Sequence, residues 1–294
     1  MSKHIAILGA GPGGYVAAIR AAQLGARVTV VESQALGGVC LNWGCIPSKA
    51  LLSVVELGDK IKKAGPLGIQ ISGPVAYDLA QMVARKNQVV AGLVKGIATL
   101  FNAWNIEHIE GTGVIEGPGT VRVSMKEGTE QVVTADAIVI ATGSSWPNLP
   151  QFPIDGVQIL TSQQLLDLQQ VPARMLIIGG GVEGCEFACL YSGLGTDVTV
   201  VELMERILPL EDEEISSTMT RELKKRNVTV MTGTTVESLN RNPTTILVRC
   251  KDGTSFEVEK LLVSVGRGFN SRGIGLDRAG VQTGRRGDIL VNER

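Results

Sequence analysis

The 294 residues predict an α/β fold in which one strand–helix–strand unit is used twice. Two glycine-rich turns, and the spacing between them, carry the prediction. His4-Ile5-Ala6-Ile7-Leu8 is a short apolar run of the kind buried in a parallel sheet, and it ends in Gly9-x-Gly11-x-x-Gly14. Residues 15–24 then read as an alanine-rich helix stopped by Gly25, and residues 27–31 as a second strand with Glu32 at its end. Met175-Leu176-Ile177-Ile178 leads in the same way into Gly179-Gly180-Gly181-Val182-Glu183-Gly184. Gly195 closes that helix, and residues 197–201 lead to Glu202. Gly9, Gly11, Gly14, Gly25 and Glu32 therefore recur as Gly179, Gly181, Gly184, Gly195 and Glu202, each 170 positions on. A single glycine pattern is weak. With a strand before, a helix after and the acid on time, it is the setting in which a pyrophosphate meets a helix N-terminus and the acid accepts from a ribose hydroxyl. Two such units in register imply two dinucleotide sites on two Rossmann-like domains of three-layer ββα architecture. Proteins that bind two dinucleotides commonly pass hydride between a flavin and a nicotinamide.

The remaining elements follow in order. Leu79, Val83, Val90, Leu93, Ile97, Leu100 and Trp104 recur at three-and-four spacing, which predicts a core-packing amphipathic helix, or a broken pair of helices, within residues 75–104. Residues 106–133 are short segments broken by glycine and proline, which suggests a small antiparallel excursion. Residues 137–143 return as a buried strand ending in small residues, where a ligand can approach the backbone. Three prolines between Trp146 and Pro153 mark a linker. The expected division is a first domain over 1–148, a second over 149–270, and a return segment over 271–294. The second domain continues through a charged helix (211–226), strands near 228–231, 245–250 and 255–258, and a hairpin turn at Lys251-Asp252-Gly253-Thr254. Residues 261–266 form a last buried strand ending in glycine.

Apolar residues make up 44% and charged residues 19%, the balance of a soluble globular chain. A net charge of −1 gives no electrostatic case for nucleic acid or an anionic membrane. Only Met1-Ser2-Lys3 precedes the first strand, and no run is read as approaching the roughly 20 apolar residues that cross a bilayer. A cytoplasmic address is the expectation. There, five cysteines (Cys40, Cys45, Cys185, Cys189, Cys250) do not suggest a structural disulfide framework.

The cysteine pair in Gly37-Gly38-Val39-Cys40-Leu41-Asn42-Trp43-Gly44-Cys45-Ile46-Pro47-Ser48-Lys49 is the candidate chemical centre. In a straight helix, residues five apart have Cα atoms roughly 8.6 Å apart, whereas a disulfide wants about 4.4–6.8 Å. Cys40 and Cys45 can therefore pair only where a helix is starting or distorted, which Gly44 and Pro47 allow, and such a bond should be labile. A zinc site and two unpaired buried thiols are the other readings. No second ligand pair lies nearby for zinc, and two inert thiols leave the flanking glycines and Lys49 unexplained. Beside a flavin, a cation at Lys49 would stabilise developing negative charge, and Glu186 on the second glycine-rich helix is its expected partner. Cys185 and Cys189 read as small helix-packing residues.

Taken together, these residues resemble the pyridine nucleotide–disulfide oxidoreductases, and within that family the dihydrolipoyl dehydrogenases. The run from Cys40 through Cys45 to Lys49-Ala50-Leu51-Leu52 carries the resemblance, and matching features span the chain. It implies FAD on the first domain, with Gly38, Gly113, Thr142 and Gly143 among its contacts, and NAD on the second, with Val236 and Gly266 among its contacts. It implies that Cys40 is the interchange thiol, that Cys45 is the thiolate packed on the flavin, and that Lys49 with Glu186 lies near the reactive nitrogen. Glu202 favours NAD, because an acid there repels a 2′-phosphate, and one arginine at Arg206 does not outweigh it. Electrons would pass from dihydrolipoyl groups of 2-oxoacid dehydrogenase or glycine cleavage complexes through Cys40–Cys45 and FAD to NAD⁺. The family also implies a homodimer. Two departures stand out. Gly268-Phe269 replaces a variable residue and proline. Residues 280–294 resemble the lead-in to a second flavin-binding segment, so the C-terminal dimerisation domain and its acid/base histidine are expected to be absent. Neither His4 nor His108 matches that histidine. The alternatives are a truncated FAD/NAD-binding protein without turnover, or another flavin disulfide reductase resembling mercuric reductase.

Overall fold

In the computed structural model, residues 2–293 are described. The chain runs β1 (His4–Leu8), α1 (Pro12–Gln23), β2 (Arg27–Glu32), α2 (Gly38–Trp43), α3 (Cys45–Lys62) and α4 (Leu79–Ala103). Next come β3 (Glu107–Gly117), β4 (Thr120–Met125), β5 (Glu130–Thr134), β6 (Ala137–Ile140) and the short β7 (Ser144–Ser145). β8 (Ile159–Leu160), α5 (Ser162–Leu165), β9 (Arg174–Ile178), α6 (Val182–Leu194), β10 (Asp197–Val201) and α7 (Glu213–Lys225) follow. The chain closes with β11 (Thr229–Met231), β12 (Val236–Arg241), β13 (Ile246–Cys250), β14 (Ser255–Val258), β15 (Lys260–Val263) and β16 (Gly268–Phe269). These elements fold into two compact units. The first runs up to Ile46, then Val89–Trp146, then onward from Arg267; the second comprises Pro47–Gln88 and Pro147–Gly266.

In the first unit, β1 lies between β2 and β6, parallel to both, in a sheet ordered β5-β4-β3-β2-β1-β6. β3 pairs parallel with β2 through Glu107–Glu110 and then antiparallel with β4, so one long strand joins the parallel sheet to the antiparallel excursion. Strand alternation sorts the core. Ile7, Val28 and Val30 pack with Ala18 of α1 and with Ile97 and Phe101 of α4. Ala6, Leu8 and Val31 face Val121 and Val123 instead.

In the second unit, β9 lies between β10 and β15 in a parallel sheet ordered β11-β10-β9-β15-β8, with a separate antiparallel sheet β12-β13-β14. The residues after the cysteine stretch, expected within 1–148, pack in this unit up to Gln88. Leu51, Val55, Leu79 and Met82 share a core with Leu190 and Tyr191 of α6. A Cβ on Gly193 would lie 2.2 Å from Val55 Cγ1, so a glycine there is what lets α3 approach α6. Lys86, 3% exposed, donates to Asp167 Oδ1 (2.5 Å) and to Leu166 O (3.2 Å).

One expectation needs correcting. Residues 38–62 include an 18-residue window of mean hydropathy 1.3, long and apolar enough by composition alone to cross a membrane. The backbone breaks within it at Gly44 (φ −141°, ψ −116°), and Leu51 and Val55 are core residues. Part of its apolar surface is thus used in packing.

Candidate functional site

Each glycine-rich turn follows the strand at which the sheet order reverses, the place where open α/β sheets bind ligands. The two turns are alike in atomic detail. Gly9 N–H donates to Val31 O and Gly179 N–H to Val201 O, both at 2.8 Å. Glu32 Oε2 accepts from Ala10 N–H and Glu202 Oε2 from Gly180 N–H, both at 2.7 Å. The other carboxylate oxygens accept from Gln34 N–H (2.7 Å) and Met204 N–H (2.8 Å). Thus the 170-residue repeat extends to positions 10, 34, 180 and 204, which the glycine pattern does not mark. Gly14 and Gly184 leave no room for a side chain: an added Cβ would lie 1.8 Å from Gly9 O and 2.0 Å from Gly179 O. They face the strand–turn backbone, not the cavity, and set how closely α1 and α6 pack on it.

In the first unit, a cavity of about 420 Å³ is lined by Gly9, Gly11, Glu32, Gly38, Thr142 and Gly143, with Cys40, Trp43, Trp146 and Asn270 completing its wall. A second cavity of about 430 Å³ shares Gly9, Glu32 and Thr142 and extends to Gly113, Phe269 and Arg272. Gly37 (φ 91°) and Gly38 (φ 58°) bring the cysteine segment to this cavity. Gly37 N–H donates to Ala10 O (2.8 Å), and a Cβ on Gly38 would lie 2.6 Å from Gly11 Cα. The turn before α2 therefore rests on the turn before α1, a packing role that the sequence pattern does not reveal.

The expected distortion between the cysteines is present. Cys40 lies in α2, Cys45 begins α3, and Gly44 between them belongs to neither helix. A Cβ on Gly44 would lie 3.0 Å from Val39 O and 3.2 Å from Cys40 Cα, so the chain folds back tightly and holds the two cysteines close. Pro47 fits the first turn of α3, where no intrahelical N–H is needed. Cys40 is half-buried on the cavity wall; Cys45 is exposed, off that wall, at the N-terminus of an 18-residue helix. Such an end favours negative charge. Lys49 Nζ, one turn later, donates to Glu186 Oε1, forming the expected pair.

The other cysteines differ in kind. Burial, reinforced by Cys189, Glu202 and Glu186, pushes the Cys185 thiol up to about 12. Burial also raises Cys189 and Cys250. All three are therefore poor thiolates. His4 Nε2 lies 2.8 Å from Thr29 Oγ1, and His108 meets Phe101 edge-on at 6.3 Å between centroids. Burial lowers His108 below its ordinary value, against the opposing pull of Glu110 and Glu32.

In the second unit, a cavity of about 570 Å³ is lined by Gly179, Gly181, Glu202 and Gly266, with Thr234 and Thr235. Val236, expected at this site, has its side chain in the core with Val248 and Ile246, leaving the wall to the two threonines before it. One terminal nitrogen of Arg206 donates to Glu211 O (3.0 Å) and Pro209 O (3.4 Å), which ties part of its guanidinium to loop carbonyls.

Two matched dinucleotide turns and a close cysteine pair at one of them define a protein of the two-nucleotide disulfide-oxidoreductase class. The pyridine nucleotide-disulphide oxidoreductase family model matches residues 3–294, and the chain belongs to that family. It is 39% identical over 285 residues to the dihydrolipoyl dehydrogenase of Chlorobaculum tepidum, spanning 96% of this chain and 61% of that enzyme. It is 40% identical over 302 residues to the dihydrolipoyl dehydrogenase of Bacillus subtilis, spanning 98% and 63%. Among solved structures, LpdA of Mycobacterium tuberculosis superposes with a TM-score of 0.90 at 31% identity, covering 97% of this chain and 63% of that one. The HOCl-induced flavoprotein disulfide reductase RclA of Escherichia coli, solved as a Cu(II) complex, gives 0.84 at 26%, covering 99% and 62%. The chain thus spans about three-fifths of the length of the curated relatives it matches.

Proposed function

We propose that the chain carries the electron path of a dihydrolipoyl dehydrogenase, from a dithiol substrate to the Cys40–Cys45 disulfide, FAD and NAD⁺. The observation that carries the proposal is the pair of cysteines held close across Gly44, with Cys40 on the wall of the first dinucleotide cavity. The residues fit a dinucleotide there: bare backbone at Gly9 and Gly11, the N-terminus of α1, and an acid anchored by two N–H groups with lone pairs to spare for a ribose.

A substrate thiolate attacks Cys40 Sγ, the Cys40–Cys45 bond breaks, and the electron pair leaves on Cys45 Sγ. The second substrate thiol then displaces Cys40 from the mixed disulfide, closing the substrate's own disulfide and leaving two reduced cysteines. The net change is two electrons and two protons from the substrate. The N-terminus of α3, at which Cys45 stands, favours negative charge on that sulfur. When bound, FAD would supply two-electron transfer between that dithiol and NAD⁺. Gly9, Gly11, Gly38, Thr142 and Gly143 would hold it, with Gly113 beside its adenosine. Lys49 pairs with Glu186 within the second unit.

In the second unit, Gly179, Gly181, Glu202 and Gly266 would hold NAD. Glu202 would be the acid for the ribose hydroxyls and would repel a 2′-phosphate, while Arg206 already spends one terminal nitrogen on loop carbonyls. Lipoyl groups of 2-oxoacid dehydrogenase or glycine cleavage complexes are the proposed partners. The 38–40% identities to dihydrolipoyl dehydrogenases, against 26% to RclA, favour this substrate over other disulfides. The test is a flavin spectrum and an NAD-linked lipoamide assay on this chain and on a C-terminally extended one. A colourless, inactive protein in both forms would sink the proposal. The family resemblance assigns the flavin-contacting thiolate to Cys45, although Cys40 is the cysteine on the cavity wall; a long-wavelength thiolate–flavin band lost in Cys45→Ser and kept in Cys40→Ser supports that assignment, and the opposite result would exchange their roles.

A further inference from the structure

The chain leaves the first unit after Trp146 and re-enters it at Arg267, and both crossings abut one small clasp. β7 and β16 pair antiparallel there, Gly268 opposite Ser145 and Phe269 opposite Ser144. Below them, Asn270 Nδ2 donates to Thr142 O (3.0 Å), Thr142 Oγ1 donates to Asn270 O (2.8 Å), and Asn270 N–H donates to Gly143 O (3.1 Å). Above them, Arg267 Nε donates to Ser144 Oγ (2.8 Å), one terminal guanidinium nitrogen donates to Ser144 O (2.6 Å), and the guanidinium lies 4.4 Å over the Trp146 ring. Ser144, Ser145, Trp146 and Asn270 all line the cavity that also carries Cys40, whereas Arg267 does not.

We infer that Arg267 is a positioning residue for the flavin site, acting by stacking on Trp146 and fastening Ser144 so that residues 142–146 stand as a fixed cavity wall. A two-residue strand cannot hold that wall by its ladder alone, because so short a pairing is marginal. The guanidinium combines a planar fork for the Ser144 oxygens with a flat face for the indole, a pairing lysine cannot reproduce. The inference rests on the reading of this cavity as the FAD site.

The test measures FAD dissociation by recovery of free-flavin fluorescence in Trp146→Ala, Trp146→Phe, Arg267→Met and Arg267→Lys, with limited proteolysis of the same proteins before flavin is added. Trp146→Ala is expected to weaken FAD by about 2- to 30-fold, the range a cation–π contact covers, and Trp146→Phe by less than about twofold. Arg267→Met and Arg267→Lys should weaken it at least as much as Trp146→Ala. Because Trp146 also lines the cavity, adding Trp146→Ala to Arg267→Met should weaken FAD by less than the product of the two single losses. Cleavage within residues 143–150 should rise in the variants that weaken FAD and not in Trp146→Phe. If the unaltered chain binds FAD and the variants bind it equally well, or if the two losses multiply, the clasp is refuted while the cavity reading stands. If the unaltered chain takes up no FAD, the cavity reading fails and this inference with it.

Discussion

A single methyl at Gly14 or at Gly184 separates the two sites. In Gly14→Ala the new Cβ would lie 1.8 Å from Gly9 O and 2.8 Å from Gly9 C; in Gly184→Ala it would lie 2.0 Å from Gly179 O. Both obstacles are backbone, so the helix start must recede by roughly 1 Å before the contact becomes tolerable. An N–H···O bond of about 2.9 Å then opens to about 3.9 Å, outside hydrogen-bond range. Each charge-assisted bond lost at a helix N-terminus is worth about 1.5–3 kcal/mol, so losing one or two weakens the bound nucleotide by roughly 10-fold to about 20,000-fold. The overpacking itself costs about 1–3 kcal/mol, lowering Tm by roughly 2–10 °C. Calorimetric titration of each variant with FAD and with NAD⁺ checks the reasoning. Gly14→Ala should lose FAD and keep NAD⁺ within about threefold, and Gly184→Ala the reverse. Equal loss of both nucleotides in either variant would refute the claim of two independent sites.

In the reduced protein, alkylation at pH 8 should modify Cys45 and Cys40 and leave Cys185 unmodified, since a thiol pushed up to about 12 is about one ten-thousandth thiolate there. Labelling of Cys185 should rise only as pH climbs toward that value, and mass spectrometry reads the sites. Asp167→Ala should cost about 2 kcal/mol in denaturant unfolding because it leaves the Lys86 ammonium buried with one carbonyl; this is less than the figure for a fully buried pair because Asp167 is half in water. Lys86→Met should cost less. Glu202→Ala should weaken NAD⁺ by about 10-fold or more and narrow its preference over NADP⁺, measured by parallel titrations.

The duplicated unit was legible because its signal is local. Strand, glycine turn, helix and acid lie within about 30 residues, and the structure repeats the hydrogen bonds of turn and acid. The helix break between the cysteines was legible from their spacing together with Gly44 and Pro47, since a straight helix holds residues five apart farther than a disulfide can reach. The fate of residues 47–88 was not legible. An apolar helix face states that it will be buried but not against which sheet, and Gly193, which makes room for Val55, lies far along the chain. Val236 was placed by motif position, yet its side chain turns into the core and Thr234 and Thr235 take the wall. β8 and β16 are two residues long, too short to leave any periodicity. The Arg267–Trp146 stack joins residues more than a hundred apart with no pattern linking them.

The central claim is that Cys40 and Cys45 form a redox pair in electronic contact with a flavin on the first unit. Anaerobic dithionite titration of the FAD-loaded chain tests it most directly, because it counts electrons independently of any acid/base the substrate reaction needs. The account predicts four electron equivalents per flavin in the unaltered protein and two in Cys40→Ser or Cys45→Ser. Two equivalents in all three proteins would contradict it.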